Sequence, residues 1–533
     1  MTPEFSARGA ALLARLRGGL EDRVRVDTRT LAVFRVFVGL LIVADVLLRS
    51  RNFSYFYTET GAVPRSLAHT LSSDGAFSFY HYTTDPTVIA ALFAIQILIA
   101  IQLIVGYKTR LATVLSFLFV ISLDHHNPLV TSYADILFRL LLFWAIFLPI
   151  GERWSIDAVH SDRQPRTNVA SMASALILFQ MVYMYFHNGV HKIESDLWTG
   201  GEATPKILSL DDMTFLLAEP LREFPTLLQL GGLKWYYMLL FSWLLLLLVG
   251  RKRMLFALLF VGGHAAFAVT VRIGAFPYVA WAGLLPFFQT QVWEDGKRLL
   301  RYAGLEPSRI TARLSRLERV ADYFPRLRAN SERHLEIRRA VFDVSLAVVA
   351  ASMVVFLLFA HAPMGAVVGD DVNPDQQIDD VASIVSADQP DWTIFAPHPR
   401  TTDRYYVFPA KTADGDLIDV YNHRPMTYDR PYDQLQNQYG TYRERFYMNT
   451  IRRGGSSAGN NAPDVLAGHL CDTWEEEYGI ELTHIDMYHV DEDITMETLT
   501  AHEDRETDVH LIQRNTCGDH EPEEIAPPPE EIR

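Results

Sequence analysis

Apolar residues are not spread evenly along this chain. Windows of roughly the 20 residues that a helix needs to cross a bilayer fall near 31–48, 87–106, 110–123, 134–150, 168–190, 235–250, 253–271, 275–290 and 340–360. They predict nine spans, although 110–123 is short and 275–290 is interrupted by Pro277 and Pro286. Past residue 360 the long runs stop. The stretch DWTIFAPHPRTTDRYYVFPAKTADGDLIDVY alternates, with a hairpin signal at Asp414 and Gly415, and reads as two strands and a turn. Asn461 and Pro463 mark the cap and first turn of a helix running to about Tyr478, where Gly479 stops it. Strands near 481–490 and 508–516 complete the set.

The expected fold class is therefore α, a polytopic helical membrane bundle of about nine spans followed by a small extracytoplasmic α+β domain. The expected divisions are an N-terminal cytoplasmic segment (1–30), the bundle (31–290), a basic connector (291–339), the last transmembrane helix (340–360), an acidic linker (361–390), the α+β domain (391–520) and a disordered acidic tail (521–533). The first 30 residues lack the basic stretch, short apolar core and cleavage site of a signal peptide, so the first span is expected to direct insertion.

Charge orients this scheme. The start of the chain, Tyr107–Arg110, Gly151–Arg166, Arg251–Arg253 and Lys297–Arg339 are all basic and all fall on one side of a nine-span arrangement. Basic short loops stay in the cytoplasm, which places the tail outside the cell membrane. Cys471 and Cys517, the two cysteines of the chain, then lie where a disulfide survives. Asn52-Phe53-Ser54 forms a glycosylation sequon on that side, a weak three-residue match.

Candidate chemistry concentrates in YMYFHNGVHKIESDLW, from Tyr183 to Trp198, where an apolar helix ends among titratable groups. Ionisable groups at membrane depth are costly and point to function, whereas a lysine at a helix end also snorkels to the interface. Both readings of Lys192 stand: a functional group, or an anchor paired with Glu194 or Asp196. Asp135 and Arg139, four apart on one helical face, read as a buried structural pair, and Arg35 and Asp45 in the first span invite the same reading. His187 and His191 share a face, and with His264, His125 and His126 they form a metal site only if the bundle converges them, so no metal is assigned. His484, Asp486 and His489 read as ordinary exposed strand residues.

Several blocks occur in a familiar order: an arginine-bearing first span, FYTETGAVPR, NPLVTSYADILFRLLLFWAIFLPIGERW, FHNGVHKIESDLWTGGEA and GGHAAFAVTVRIGAFPYVAWAGLLPF. Over roughly residues 30–290 the chain resembles the HTTM family, the horizontally transferred transmembrane domain related to the vitamin K-dependent gamma-carboxylases. The resemblance implies that Lys192, in GVHKIE, stands where the carboxylases carry the base that deprotonates vitamin K hydroquinone. His191 replaces the lysine preceding it, and Thr131 or Ser132 falls where the family has a helix-borne histidine. The implied cofactor is a reduced menaquinone or vitamin K-like quinol, with Asn188, His191, Trp198 and His264 as substrate-binding residues. The implied partners are membrane lipid and an exported polypeptide. The alternative is a non-catalytic membrane anchor or assembly platform whose outer domain binds or matures an exported partner.

The net charge of −15 argues against nucleic acid as a partner. Only seven of the 48 basic residues are lysine, and an acidic, lysine-poor surface suits a halophilic habitat where salt screens self-repulsion. Such a chain is expected to lose thermal stability as salt is withdrawn to millimolar levels. A melting temperature independent of salt would remove the halophilic reading.

Overall fold

The computed structural model describes residues 3–72, 76–161, 163–304, 320–326, 389–454 and 461–529, with short pieces between 336 and 351. Helix α1 (Pro3–Val24) precedes α2 (Thr28–Ser50), α3 (Pro86–Val105), α4 (Thr109–His126), α5 (Tyr133–Ile146), α6 (Met172–His191), α7 (Pro225–Leu240), α8 (Gly250–Thr270), α9 (Phe276–Leu284) and α10 (Thr290–Tyr302). Local signals explain several boundaries. For α3 they are complete: Asp85 accepts from Thr87 N, Pro86 sits in the first turn, and Gly106 closes the helix at φ 71°.

Among the described residues three helices, α2, α3 and α8, are long and apolar enough to cross a membrane by length and composition, rather than the nine expected. The other windows fall short for identifiable reasons. Helix α5 has 14 residues and α7 has 16. Polar groups interrupt α4, which carries Arg110 and ends in Asp124, His125 and His126, while Gln180, His187 and Asn188 dilute α6. The 235–250 window breaks after Leu240, and the 275–290 window is a helix of nine residues followed by a short 3-10 turn.

Packing separates the two groups. Leu40, Leu98 and Leu255 on the three long helices are 51%, 64% and 61% exposed, whereas Leu140, Leu141 and Leu142 of α5 are fully buried. Helix α5 is thus apolar because protein surrounds it. A window of hydropathy does not distinguish that from lipid. The ninth expected span (340–360), most of the connector (291–339) and the linker (361–390) lie largely outside the described residues.

The C-terminal part forms the expected α+β unit. Strands β3 (Thr402–Val407), β4 (Pro409–Thr412), β5 (Leu417–Asp419), β6 (Arg424–Pro425), β7 (Leu482–Asp493) and β8 (Thr507–Thr516) build one antiparallel sheet; a separate two-residue pair, β1 (Val26–Asp27) with β2 (Asn168–Val169), lies in the bundle. Strand β7 is central, pairing β3 and β4 along one edge and β8 along the other. The hairpin at Asp414–Gly415 joins β4 to β5. Alternation divides the faces: Tyr406, Phe408 and Ala410 turn to helices α11 (Tyr442–Arg453) and α12 (Ala462–Tyr478), while Tyr405 and Val407 pack with Tyr428 and Tyr488.

Cys471 of α12 is disulfide-bonded to Cys517 beyond β8, closing a separation of 46 residues. Part of the tail expected to be disordered is ordered. Ile525 N donates to Asp486 at 3.2 Å and the Tyr428 hydroxyl to the Ala526 carbonyl at 2.7 Å, so residues 521–529 run over the sheet because its buried polar groups need partners.

The sheet domain caps one end of the bundle. The ends of α2 and α6 and the first turn of α5 all meet it, as the hydrogen bonds below show. At one close approach, Gly274 (φ +67°), a Cβ would lie 2.4 Å from the ring of Tyr442, so only glycine fits there.

Candidate functional site

Helix α6 delivers the site. Its start is fixed by a reciprocal cap in which Ser171 accepts from Ser174 N and Ser174 accepts from Ser171 N. At its other end Gly189 is backed closely by Leu240 N, and Lys192 is the first residue past the helix. Lys192 is 1% exposed.

Its ammonium does not turn to Glu194 or Asp196, as an interfacial anchor would. It donates to the backbone carbonyls of Ile394 at 2.8 Å and Phe395 at 3.0 Å, and lies 3.8 Å from the ring centroid of Trp198. The acceptors belong to a strap, residues 389–397, that leads into the sheet domain. The same strap receives Asn188 Nδ2 at Trp392 O (2.7 Å) and Ile394 O (3.0 Å), and Trp198 Nε1 at Phe395 O (2.8 Å). Gln180 pairs reciprocally with Gln389, the Tyr133 hydroxyl meets Thr393 at 2.7 Å, and Trp392 is fully buried.

Burial pushes the Lys192 ammonium well below the ordinary lysine range. Two carbonyl acceptors and an aromatic face act the other way, because they favour the charged form.

Beneath the strap lies a cavity of about 540 Å³ between α6, α7 and α8. Its wall is mostly apolar, and Asn188, Lys192, Trp198 and His264 all contribute to it. Four of the five residues singled out from sequence therefore meet at one place. His191 does not line it; its ring packs against His187 at 4.6 Å. Tyr185, not anticipated from the sequence, bonds His264 Nε2 through its hydroxyl at 2.8 Å. A tyrosine about two helical turns before the candidate residue, on the same apolar helix, was the available signal.

The profile of the HTTM domain matches residues 24–293, a little over half of the 533 residues. The chain belongs to the HTTM-domain family. It is accordingly a membrane protein. No solved structure matches it.

Around this HTTM domain the expected charge pairs are rearranged. Asp135 does not pair with Arg139. It completes the cap of α5 by accepting from Ser132 N and Oγ, both at 2.8 Å, and its other oxygen receives Arg49 (3.2 Å) and Arg443 (2.9 Å). The signature Ser-x-x-Asp before an apolar run was legible, but the four-residue spacing to Arg139 competed with it. Arg139 instead meets His125 Nε2 at 3.4 Å. Nor does Arg35 pair with Asp45. Its guanidinium donates to the carbonyls of Ile104, Ile150, Arg153 and Trp154.

Two buried ionic clusters bind the sheet domain to the HTTM domain. In the first, Arg49 reaches Asp45 at 2.8 Å and Asp124 at 2.6 Å, and Arg443 of α11 reaches Asp45 at 2.6 Å. In the second, Asp403 of β3 accepts from Asp211 N (2.8 Å) and Asp212 N (3.0 Å), while Arg505 spans Asp403 and the Ser209 carbonyl, both at 3.1 Å. Arg400 pairs with Asp212.

The histidines do not converge on a metal as considered above. His126 stacks between Tyr57 and Tyr80, and His264 faces Tyr185. His484, Asp486 and His489, expected to be exposed, are buried in β7 because β3, β4 and β8 flank it, and strand pairing sets His489 opposite His510 beside Asp491. There Arg404 already holds Asp491 at 2.6 Å, and burial lowers His489 to about 3.

Removing one partner of a buried ionic group costs about 3–5 kcal/mol. Arg443→Met leaves Asp45 and Asp135 short of a cation, so the variant is expected to melt earlier and to expose α11 to protease. An unchanged melt and digestion pattern would mean that the first cluster does not hold the two parts together.

Proposed function

We propose that this HTTM protein binds a lipid-soluble quinol in the cavity beneath the strap and acts on it in a carboxylase-like or epoxidase-like way, with Lys192 as base. The observation that carries this reading is the gathering of Asn188, Lys192 and Trp198, from the end of α6 and the turns after it, with His264 of α8 on one apolar cavity. Its size and sparse polar groups suit a drug-sized apolar ring. A reduced quinol, such as a menaquinol or vitamin K-like quinol, would supply an acidic phenol there; in the related carboxylases its oxidation by dioxygen generates the strong base that removes a glutamate γ-proton before carbon dioxide adds.

The protein's own part is proton handling. Lys192 takes a proton only when neutral, and burial favours that form once the carbonyls of Ile394 and Phe395 withdraw. Movement of the strap thus switches Lys192 between holding and accepting a proton. Asn188 and Trp198, released at the same time, gain free N–H groups to orient an oxygen. The reading places the chain in the cell membrane with its N-terminus cytoplasmic and its sheet domain outside, where an exported polypeptide is the acceptor.

One observation favours the alternative, a non-catalytic anchor or platform. Lys192, Asn188 and Trp198 are all engaged by the strap, which makes them a docking device for the sheet domain. Lys192→Met separates the readings. In protein reconstituted with a reduced menaquinone, a lost general base is expected to lower quinol turnover by about 10²–10⁴-fold. Undiminished turnover removes the base.

A further inference from the structure

Within that cavity one polar group is left over. His264 is fully buried, and its Nε2 bonds the Tyr185 hydroxyl at 2.8 Å. Its Nδ1 has no hydrogen-bond partner among the described residues. An unsatisfied ring nitrogen in an apolar wall costs about 1–3 kcal/mol, and such an orphan in a cavity calls for a ligand atom. The ring is fixed by Trp235, Phe267 and Phe276 at 5.4, 5.8 and 5.8 Å, so the nitrogen cannot turn away to find a partner of its own.

Tyr185 lies seven residues before Lys192 on α6, which at 1.5 Å per residue is about 10 Å deeper into the bundle. The cavity also has a mouth. Gly231 of α7 and Gly262 of α8 line it with nothing within 4 Å of a built Cβ. Leu227, Leu258 and Leu259, which also line it, are 57%, 46% and 43% exposed on the outer surface of the same two helices. Small residues at those points leave a gap between α7 and α8 toward the lipid side, while Trp235 fills the space beside Gly263.

We propose that Tyr185 and His264 form the headgroup site of this cavity, receiving one ring oxygen of an apolar molecule whose tail leaves through the Gly231–Gly262 mouth. This rests on the quinol reading and places the ring deeper than Lys192. The pair suits both redox forms of such a ring. When the Tyr185 hydroxyl donates to Nε2, Nδ1 carries the proton and donates to a quinone carbonyl. When Nε2 carries the proton and donates to the hydroxyl, Nδ1 is bare and accepts from a quinol O–H. The site therefore holds the ring before and after oxidation by moving one proton between ring nitrogens, with no new charge in the apolar wall.

The test is binding, followed by quenching of tryptophan fluorescence in the purified full-length chain. The probes are menaquinone-4, which has an isoprenoid tail, and menadione, which has none. His264→Phe is expected to weaken menaquinone-4 binding at least about tenfold. Tyr185→Phe, which keeps the ring and its packing, is expected to weaken it several-fold, so the result does not hang on one variant's folding. Gly262→Leu, which adds a side chain in open space, is expected to weaken menaquinone-4 and leave menadione unchanged. Wild-type affinity in both His264→Phe and Tyr185→Phe overturns the headgroup site. If Lys192→Met alone then abolishes binding, the quinol reading stands with its ring at the strap. If the wild type itself shows no quenching by either probe, both proposals fall.

Discussion

A buried ammonium must be answered by acceptors, and in this protein the acceptors of Lys192 come from some 200 residues away in the chain. Bare burial of that charge in an apolar wall would drive the proton off. The carbonyls of Ile394 and Phe395 act against that by accepting its hydrogen bonds. Much of the architecture near the site follows from this single contact, because carbonyls can point inward at Lys192 only if residues 389–397 lie flat over the end of α6. That placement covers the cavity from the sheet-domain side.

The strap stays in place because the sheet domain is held at two further points. Arg443 reaches into carboxylates from α2 and α5, and Asp403 caps the backbone at Asp211 and Asp212 while Arg505 neutralises it. Buried ion pairs contribute little net stability compared with apolar packing, but breaking one is costly. They act as register devices. A sheet domain displaced by one residue would strand arginines and aspartates without partners, so the strap arrives over Lys192 in one position. The HTTM domain and the sheet domain are joined in this way, and the candidate site lies at their junction.

What the sequence reveals depends on which atoms make the contacts. Lys192, Asn188, Trp198 and His264 are legible because polar side chains stand out in apolar helices. The strap is not, because it contributes main-chain carbonyls, which every residue has. The pairing of Asp135 with Arg139 satisfies helical spacing, yet Asp135 is taken by its own helix cap and by Arg443, 308 residues further on. Nine apolar windows read as spans because hydropathy records what a residue avoids, not whether lipid or protein shelters it. The sheet and its hairpin were legible from alternation and from Asp414–Gly415, and the path of residues 521–529 was not, since acidic composition gives no hint of the buried Asp486 and Tyr428 that hold them.

The most direct measurement is the identity of the small molecule that the protein retains when extracted gently from its own membrane. Mass spectrometry of the purified full-length chain is expected to find an isoprenoid quinone in near-stoichiometric amount, depleted in the Gly262→Leu variant, whose mouth is narrowed. Phospholipid alone, in equal amount in both proteins, would contradict the account.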